Sequence, residues 1–279
     1  NQIFQWKRGT LVMGARYQIG DFETRNKLDL APGSPFALLF GKPAFDAALS
    51  EDFERTSGYA YFTQELWSKL RLTAGLTYDG LLYPLNHRTT PLIGIESERE
   101  QLSPKVAVVW DPCQAASVRA MYSQFLGGVS FDESYRLEPT QLAGFSQAYR
   151  TIVSESIVGS VAGPRYEVAG AGLDLKLPSR TYAGAQVEWL QSKIDSPVGG
   201  FAMPLPITQT VLQRRLDYSE RGLMIYVHQL LKDHWAAGAS YALRDSSLDT
   251  LVPEIPASVS ATANRTERAA LHHLNGYLL

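Results

Sequence analysis

The sequence predicts an all-β fold, an antiparallel up-and-down transmembrane β-barrel with about ten strands. Hydrophobic residues alternate with small or polar ones at a period of two. This pattern indicates strands, because residues i and i+2 lie on the same face of a strand but on nearly opposite sides of a helix. Short and long connections also alternate along the chain, as they do in barrels that cross a membrane. The chain contains no run of about eighteen apolar residues, so no transmembrane helix is predicted.

The period of two is clearest in five segments. In residues 70–79, Leu72, Leu76 and Tyr78 share one face, whereas Arg71 and Thr73 share the other. The same pattern occurs in residues 11–20, 166–177, 181–189 and 235–244, and weaker versions run over 58–67, 104–110, 117–125, 220–229 and 267–279. A strand that crosses a bilayer takes roughly ten residues, which matches these lengths.

The connections between the segments are of two kinds. Short ones lie near residues 68–69, 111–114, 178–180 and 231–233, and long ones run over about 21–57, 80–100, 126–165, 191–219 and 245–266. A soluble β-sandwich has no reason to place every long loop at one end. The strict alternation of the two kinds therefore favours a membrane barrel.

Composition excludes several classes of protein. The net charge is −2, so no broad attraction to nucleic acid is expected, and 45% hydrophobic residues argue against disorder. The single cysteine, Cys113, cannot form an intrachain disulfide. Tyrosine and tryptophan favour membrane interfaces, and four tryptophans lie close to predicted strand ends: Trp67, Trp110, Trp189 and Trp235.

Three motifs follow one another between Gly58 and Phe125: Ala74-Gly75-Leu76-Thr77-Tyr78-Asp79, then Ser103-Pro104-Lys105, then Arg119-Ala120. This progression resembles barrel strands of TonB-dependent outer-membrane receptors. Segments 137–147 and 172–189 resemble a variant in which the barrel follows tetratricopeptide repeats. The resemblance implies a Gram-negative outer-membrane location, surrounding outer-membrane lipid and a small-molecule ligand. It also implies a plug domain or periplasmic repeats and the TonB system as partners.

Residues 1–279 are expected to form a single outer-membrane β-barrel segment with no plug present. The receptors that the sequence resembles have barrels of 22 strands, whereas about ten fit here. The chain is therefore expected to be an incomplete part of a larger barrel. The sequence upstream of Asn1 would show whether a plug or tetratricopeptide repeats precede it.

Candidate functional residues fall into two groups. Charged residues of both signs lie on the predicted inner, lumen-facing side, where either a hydrated interior or contact with a ligand or plug explains them: Arg16, Arg71, Arg119, Lys176, Glu188 and Arg244. The second group lies in the long 126–165 connection, because the receptors that this chain resembles capture their solutes with extracellular loops. Its members, the candidate ligand-binding residues, are Tyr135, Phe145 and Tyr149.

The sequence predicts no catalytic, cofactor or metal site. His272 and His273 are adjacent, so a strand would point them to opposite faces and they could not chelate one ion. His228 has no GxSxG-type nucleophile motif to accompany it, so a hydrolase is not supported. The expected protein is not an enzyme and does not bind nucleic acid.

Three classes of function are compatible with these observations. The first is ligand uptake across the bacterial outer membrane by a TonB-dependent-receptor-like barrel. The second is a structural or anchoring barrel that carries periplasmic repeats, and the third is a soluble β-rich binding protein. Partition into membranes would separate the third class from the other two.

Overall fold

A computed structural model describes residues 1–29, 45–127, 138–147, 163–202, 208–231, 235–256 and 258–279. These residues form thirteen β-strands. In chain order they are β1 (Gln2–Trp6), β2 (Gly9–Leu28), β3 (Phe45–Trp67), β4 (Leu70–Asn86), β5 (Ile93–Cys113), β6 (Ala116–Leu126), β7 (Gln141–Leu142), β8 (Phe145–Ser146), β9 (Arg165–Leu177), β10 (Thr181–Ala202), β11 (Thr208–Leu231), β12 (Trp235–Leu251) and β13 (Arg265–Leu278).

Eleven strands form one antiparallel sheet in the order β1-β2-β3-β4-β5-β6-β9-β10-β11-β12-β13, and β7 pairs with β8 in a separate hairpin. This up-and-down order confirms the predicted all-β fold class. The sheet has eleven strands instead of about ten because β1 adds to those predicted. Among the described residues the sheet is not closed, since β1 pairs with β2 alone and β13 with β12 alone. The same residues contain no helix long and apolar enough to span a membrane.

Several strands continue far beyond their predicted ends on the side of the long connections. β2 and β3 pair without interruption from Gly9–Gln64 to Leu28–Phe45, and β10 and β11 pair up to Ala202–Thr208. The described parts of the predicted long connections at 21–57 and 191–219 are therefore almost entirely strand. Both faces of these extensions are rich in polar residues, so the hydrophobic period of two ends although backbone pairing continues.

One face of the sheet, called the outer face here, carries exposed apolar side chains. Leu76 of β4 is 45% exposed and Ile225 of β11 is 48% exposed. Other members are Met13, Tyr17, Ile19, Tyr78, Leu102, Val106, Leu173, Trp189, Val227 and Leu274. Exposed tryptophans also stand beside the short turns: Trp6, Trp67, Trp110 and Trp235. Together these residues form a contiguous apolar surface, called the outer apolar band.

Charged residues end the outer apolar band on the side of the long connections. The Tyr78 hydroxyl donates a hydrogen bond to Glu100 of β5 (2.6 Å). Trp189 of β10 is paired with Arg221 of β11, which is paired in turn with Asp245 of β12. Apolar residues thus give way to charged ones at corresponding positions on neighbouring strands.

The opposite, inner face holds the core. Buried rings and aliphatic side chains of β3, β4, β6 and β9 to β12 pack there with the β7–β8 hairpin. Phe125 of β6 and Tyr166 of β9 stack with their ring centroids 4.7 Å apart. The interior is therefore partly filled by side chains and by a segment of the chain itself.

Candidate functional site

Ion pairs link neighbouring strands on the inner face. Arg55 of β3 and Asp79 of β4 contact each other at 2.8 Å, with both side chains buried. Arg119 of β6 donates to Asp174 of β9 at 2.6 Å. Each cation meets a carboxylate of the next strand, so these charges are compensated locally.

A second network lies farther along the sheet. Arg244 of β12 donates to Glu220 of β11 at 2.5 Å and approaches Glu188 of β10 to 3.5 Å. The Tyr218 hydroxyl donates to the other oxygen of Glu220 at 2.5 Å. The interior is thus lined by charged groups of both signs from β3 to β12.

Residues 138–147, called the inner hairpin here, lie against this inner face. Near the base of the hairpin, Glu138 accepts hydrogen bonds from Lys105 Nζ (2.8 Å) and from the Tyr61 hydroxyl (2.6 Å). Gln147 Oε1 accepts a further bond from Lys105 (3.0 Å). The Lys105 side chain is 1% exposed, so this ion pair is buried.

The tip of the inner hairpin reaches towards the short turns. Ala143 and Gly144 both have positive φ, as the two central residues of type I′ hairpin turns do. Arg119 Nη1 donates to the Ala143 carbonyl (3.0 Å), and its guanidinium lies 5.1 Å from the centre of the Phe145 ring. Phe145 is completely buried.

Contacts to the inner hairpin come from five consecutive strands of the sheet. They involve Tyr61 of β3, Thr77 of β4, Lys105 of β5, Arg119 of β6 and Gly170 of β9. Side chains of five neighbouring strands can meet one short hairpin only if the sheet curves around it. The hairpin therefore narrows the space that the inner face encloses.

Aromatic rings on the inner face lie over glycines of the adjacent strand. A Cβ atom at Gly184 would lie 2.5 Å from the Tyr226 ring, and one at Gly75 would lie 2.8 Å from Tyr61. In each case the ring and the glycine are direct cross-strand partners: Tyr59 with Gly14, Tyr61 with Gly75, Tyr226 with Gly184, and His228 with Gly238. Such pairs cover the gap that the glycine leaves in the sheet.

The connection of residues 86–91, called the strap here, joins distant parts of the sheet on the side of the long connections. The Asn26 amide of β2 donates to the Arg88 carbonyl (3.0 Å). The Gly199 backbone N–H of β10 donates to Thr89 Oγ1 (2.8 Å). Asn86 holds the strap in shape by donating to the Thr89 and Pro91 carbonyls. The strap thus bridges β2 and β10.

A cavity of about 1060 Å³ lies between β5 and β10. It forms because both strands continue past the points where β6 ends and β9 begins. Its lining carries charges of both signs, including Arg99, Arg165, Lys193, Glu98, Glu167 and Asp217. The lining is therefore suited to polar solutes rather than to lipid chains.

The predicted lumen-facing residues all occupy inner-face positions in the strand alternation. Arg16 is half-buried on β2, and Arg71 is exposed next to the short turn before β4. Lys176 lies 5.9 Å from the centre of the Tyr182 ring. Arg119, Glu188 and Arg244 belong to the ion-pair networks described above.

The three candidate ligand-binding residues are not brought together among the described residues. Tyr135 and Tyr149 lie outside the described part of the chain. Phe145 belongs to the inner hairpin rather than to an exposed loop, because its ring packs over Gly170 and beneath Arg119. Sequence reasoning missed Glu138, since nothing distinguishes one carboxylate within a long polar connection.

The histidines make tyrosine contacts. His228 lies between the rings of Tyr226 and Tyr277, and its Nδ1 is 3.0 Å from the Tyr277 hydroxyl. His272 Nδ1 is 2.8 Å from the Tyr241 hydroxyl. In the described part of the chain no group of three His, Cys, Asp or Glu residues is arranged to hold a metal ion.

No family model and no curated protein matches the chain. Among solved structures it is similar to the copper transporter OprC, with 13% identity and a TM-score of 0.48 over 90% of this chain and 40% of that one. It is also similar to the FrpB iron transporter from Neisseria meningitidis. For the F5-1 variant the identity is 13% and the TM-score 0.43, over 97% of this chain and 46% of that one. For the F3-3 variant the identity is 14% and the TM-score 0.46, over 97% of this chain and 44% of that one. The chain thus spans less than half the length of these structures.

Proposed function

We propose that this chain forms part of the wall of a bacterial outer-membrane β-barrel through which a solute is taken up. The observation that carries the proposal is the outer apolar band, with tryptophans at one border and charged residues at the other. Exposed apolar residues on successive strands are costly in water but favourable in lipid.

The height of the band fits a bilayer. In β4 it runs from Leu70 to Tyr78, about eight steps of roughly 3.4 Å. At the strand tilt of about 40° that membrane barrels adopt, this corresponds to roughly 20 Å, close to their apolar band of about 25 Å. A soluble β-rich protein would have no reason to keep an exposed apolar band of this height.

The inner face supports passage of a polar solute rather than a lipid. Its charges are paired across strands, as Arg55 with Asp79, Arg119 with Asp174 and Arg244 with Glu220. The open edges of β1 and β13 would leave backbone groups unsatisfied in hydrocarbon, so the proposal includes further wall strands that close the barrel. The family resemblance of the sequence adds a plug or periplasmic repeats and the TonB system as proposed partners.

Two arginine substitutions test the membrane assignment. Leu76→Arg places a charge on the outer apolar band and should reduce the free energy of unfolding in lipid by about 2–4 kcal/mol. Thr73→Arg, on the inner face of the same strand, should cost about 1 kcal/mol or less. Equal costs for the two variants, measured by reversible unfolding in lipid vesicles, would contradict the assignment.

Conductance tests the uptake role against an anchoring role. If the inner hairpin narrows a solute pathway, Glu138→Ala should loosen it and raise the ion conductance of the intact protein in planar bilayers above that of the wild type. The matched control is Asp52→Ala, which removes an exposed carboxylate from the outer face of β3 and should leave conductance unchanged. A protein that inserts but conducts in neither form would favour an anchoring barrel instead.

A further inference from the structure

One cation on the inner face differs from the others. Arg214 of β11 is directly paired with Ser196 of β10. The Nε atom of Arg214 and the Oγ atom of Ser196 are both buried and make no hydrogen bond. Ser192 Oγ, two inner-face positions along β10, is buried without a partner as well. Buried polar atoms in native proteins are nearly always hydrogen-bonded, so this group of donors requires an acceptor.

Neighbouring cations on the same two strands show how such charges are normally compensated here. Arg215 donates to Asp195 at 2.9 Å, and Lys193 contacts Asp217 at 2.8 Å. Both of these pairs are on the outer face. Arg214, by contrast, has no carboxylate partner within the described ranges.

The surroundings of Arg214 are electropositive. Burial and then the positive charge of Arg88 lower the pKa of Arg214 below its ordinary value. Arg88 belongs to the strap, which is hydrogen-bonded to Gly199, three residues beyond Ser196 on β10. An anion bound to Arg214 would offset this unfavourable effect.

We propose that Arg214 and Ser196 form a binding site for an oxyanion, the carboxylate or phosphate group of a soluble ligand, on the inner face next to the strap. An Arg Nε–H and a serine hydroxyl on facing residues can donate to two oxygens of one such group. A lipid headgroup is not the occupant, because the site lies on the face opposite the outer apolar band. The inference rests on the proposed function only in treating the ligand as a solute for uptake.

Isothermal titration of the intact protein in detergent at an ionic strength of about 0.15 M tests the site, with citrate and inorganic phosphate as separate probes. Whichever probe binds, Arg214→Gln should weaken it at least about tenfold, and Arg214→Lys should weaken it less because the charge remains. Ser196→Ala should weaken it a few fold, by about one hydrogen bond. The matched control is Arg215→Gln, which removes a cation one residue away on the outer face and should leave affinity within about twofold.

Two results would overturn the inference. Binding of neither probe would mean that water satisfies Arg214 and Ser196, and equal affinity for wild type and Arg214→Gln would place the anion elsewhere. Hydrogen exchange of β10 and β11 should be unchanged in Arg214→Gln, which shows that lost binding is not lost folding. Because the titration involves no transport, failure of the Leu76 and Thr73 test would refute the membrane role and leave the anion site standing.

Discussion

Removing the Glu138 carboxylate should release the inner hairpin from the wall. In Glu138→Ala the buried ammonium of Lys105 loses this carboxylate but stays in contact with the Gln147 amide oxygen and the Tyr61 ring. Breaking a buried ion pair by deleting one partner costs about 3–5 kcal/mol, because the remaining charge stays desolvated. Detachment of the hairpin would rehydrate Lys105, so the penalty is expressed as local opening rather than as unfolding of the sheet.

Hydrogen exchange measures that opening directly. The Gln147 backbone N–H donates to the Thr140 carbonyl (2.8 Å), so its amide reports whether the hairpin is formed. A penalty of about 3 kcal/mol corresponds to roughly a hundredfold faster exchange. Amides of β4 and β9 should keep their wild-type rates.

Two further variants test whether the Glu138–Lys105 ion pair holds the inner hairpin in place. Glu98→Ala, which removes an exposed carboxylate of the outer face, should leave the Gln147 amide unaffected. Adding Lys105→Met to Glu138→Ala should recover most of the protection, since the desolvated ammonium is then removed together with the carboxylate. If Glu138→Ala exchanges like wild type, or if the double variant is no better protected than Glu138→Ala, the ion pair does not hold the hairpin.

The remaining predictions concern three other features. Gly184→Ala should destabilise the protein by about 1–3 kcal/mol because its Cβ would meet the Tyr226 ring, whereas Gly58→Ala, with nothing within 4 Å of its Cβ, should be close to neutral in the same unfolding assay. His87 is buried against Phe22, and burial followed by the Arg88 charge lowers its pKa from 6.5. Its contribution to stability is therefore present above pH 6.5 and is lost as the pH falls from there through the folded-state pKa; His87→Phe should remove this dependence from unfolding curves recorded across that range. Cys113 is exposed beside a short turn, so an impermeant thiol reagent should label it only after the outer membrane is permeabilised. The same reagent should label a cysteine introduced by Thr262→Cys on intact cells. The reverse labelling pattern would show that the short turns face the cell exterior.

The pairing order and the orientation of the ten predicted strands could be predicted from sequence because the segments that form the outer apolar band alternate strictly. Leu76 and Thr77 show the principle, since the exposed outer side chain of one is followed directly by the buried inner side chain of the other. The strand extensions could not be predicted in this way. Around Asp21 and Lys193 polar residues occupy both faces of the strands. Strand pairing there depends on backbone hydrogen bonds, which produce no hydrophobic periodicity in the sequence.

The candidate sites were harder to predict for a different reason. Glu138 meets Lys105 through a contact between residues 33 positions apart, and no local pattern encodes it. Arg214 and Ser196 fall in a segment that sequence analysis predicts to be a loop, and only their pairing across β10 and β11 brings them together. Sites of this kind depend on register, which a single sequence specifies weakly outside the apolar segments.

The aromatic and glycine pairs of the inner face constrain how this sequence can diverge. At Gly184 any larger residue collides with Tyr226, while loss of the Tyr226 ring would uncover the Gly184 backbone. Each single change is harmful, but a larger residue in place of the glycine is acceptable once its partner becomes smaller. Homologous chains should therefore change the two positions together, and such covariation would identify neighbouring strands and their register without any structure.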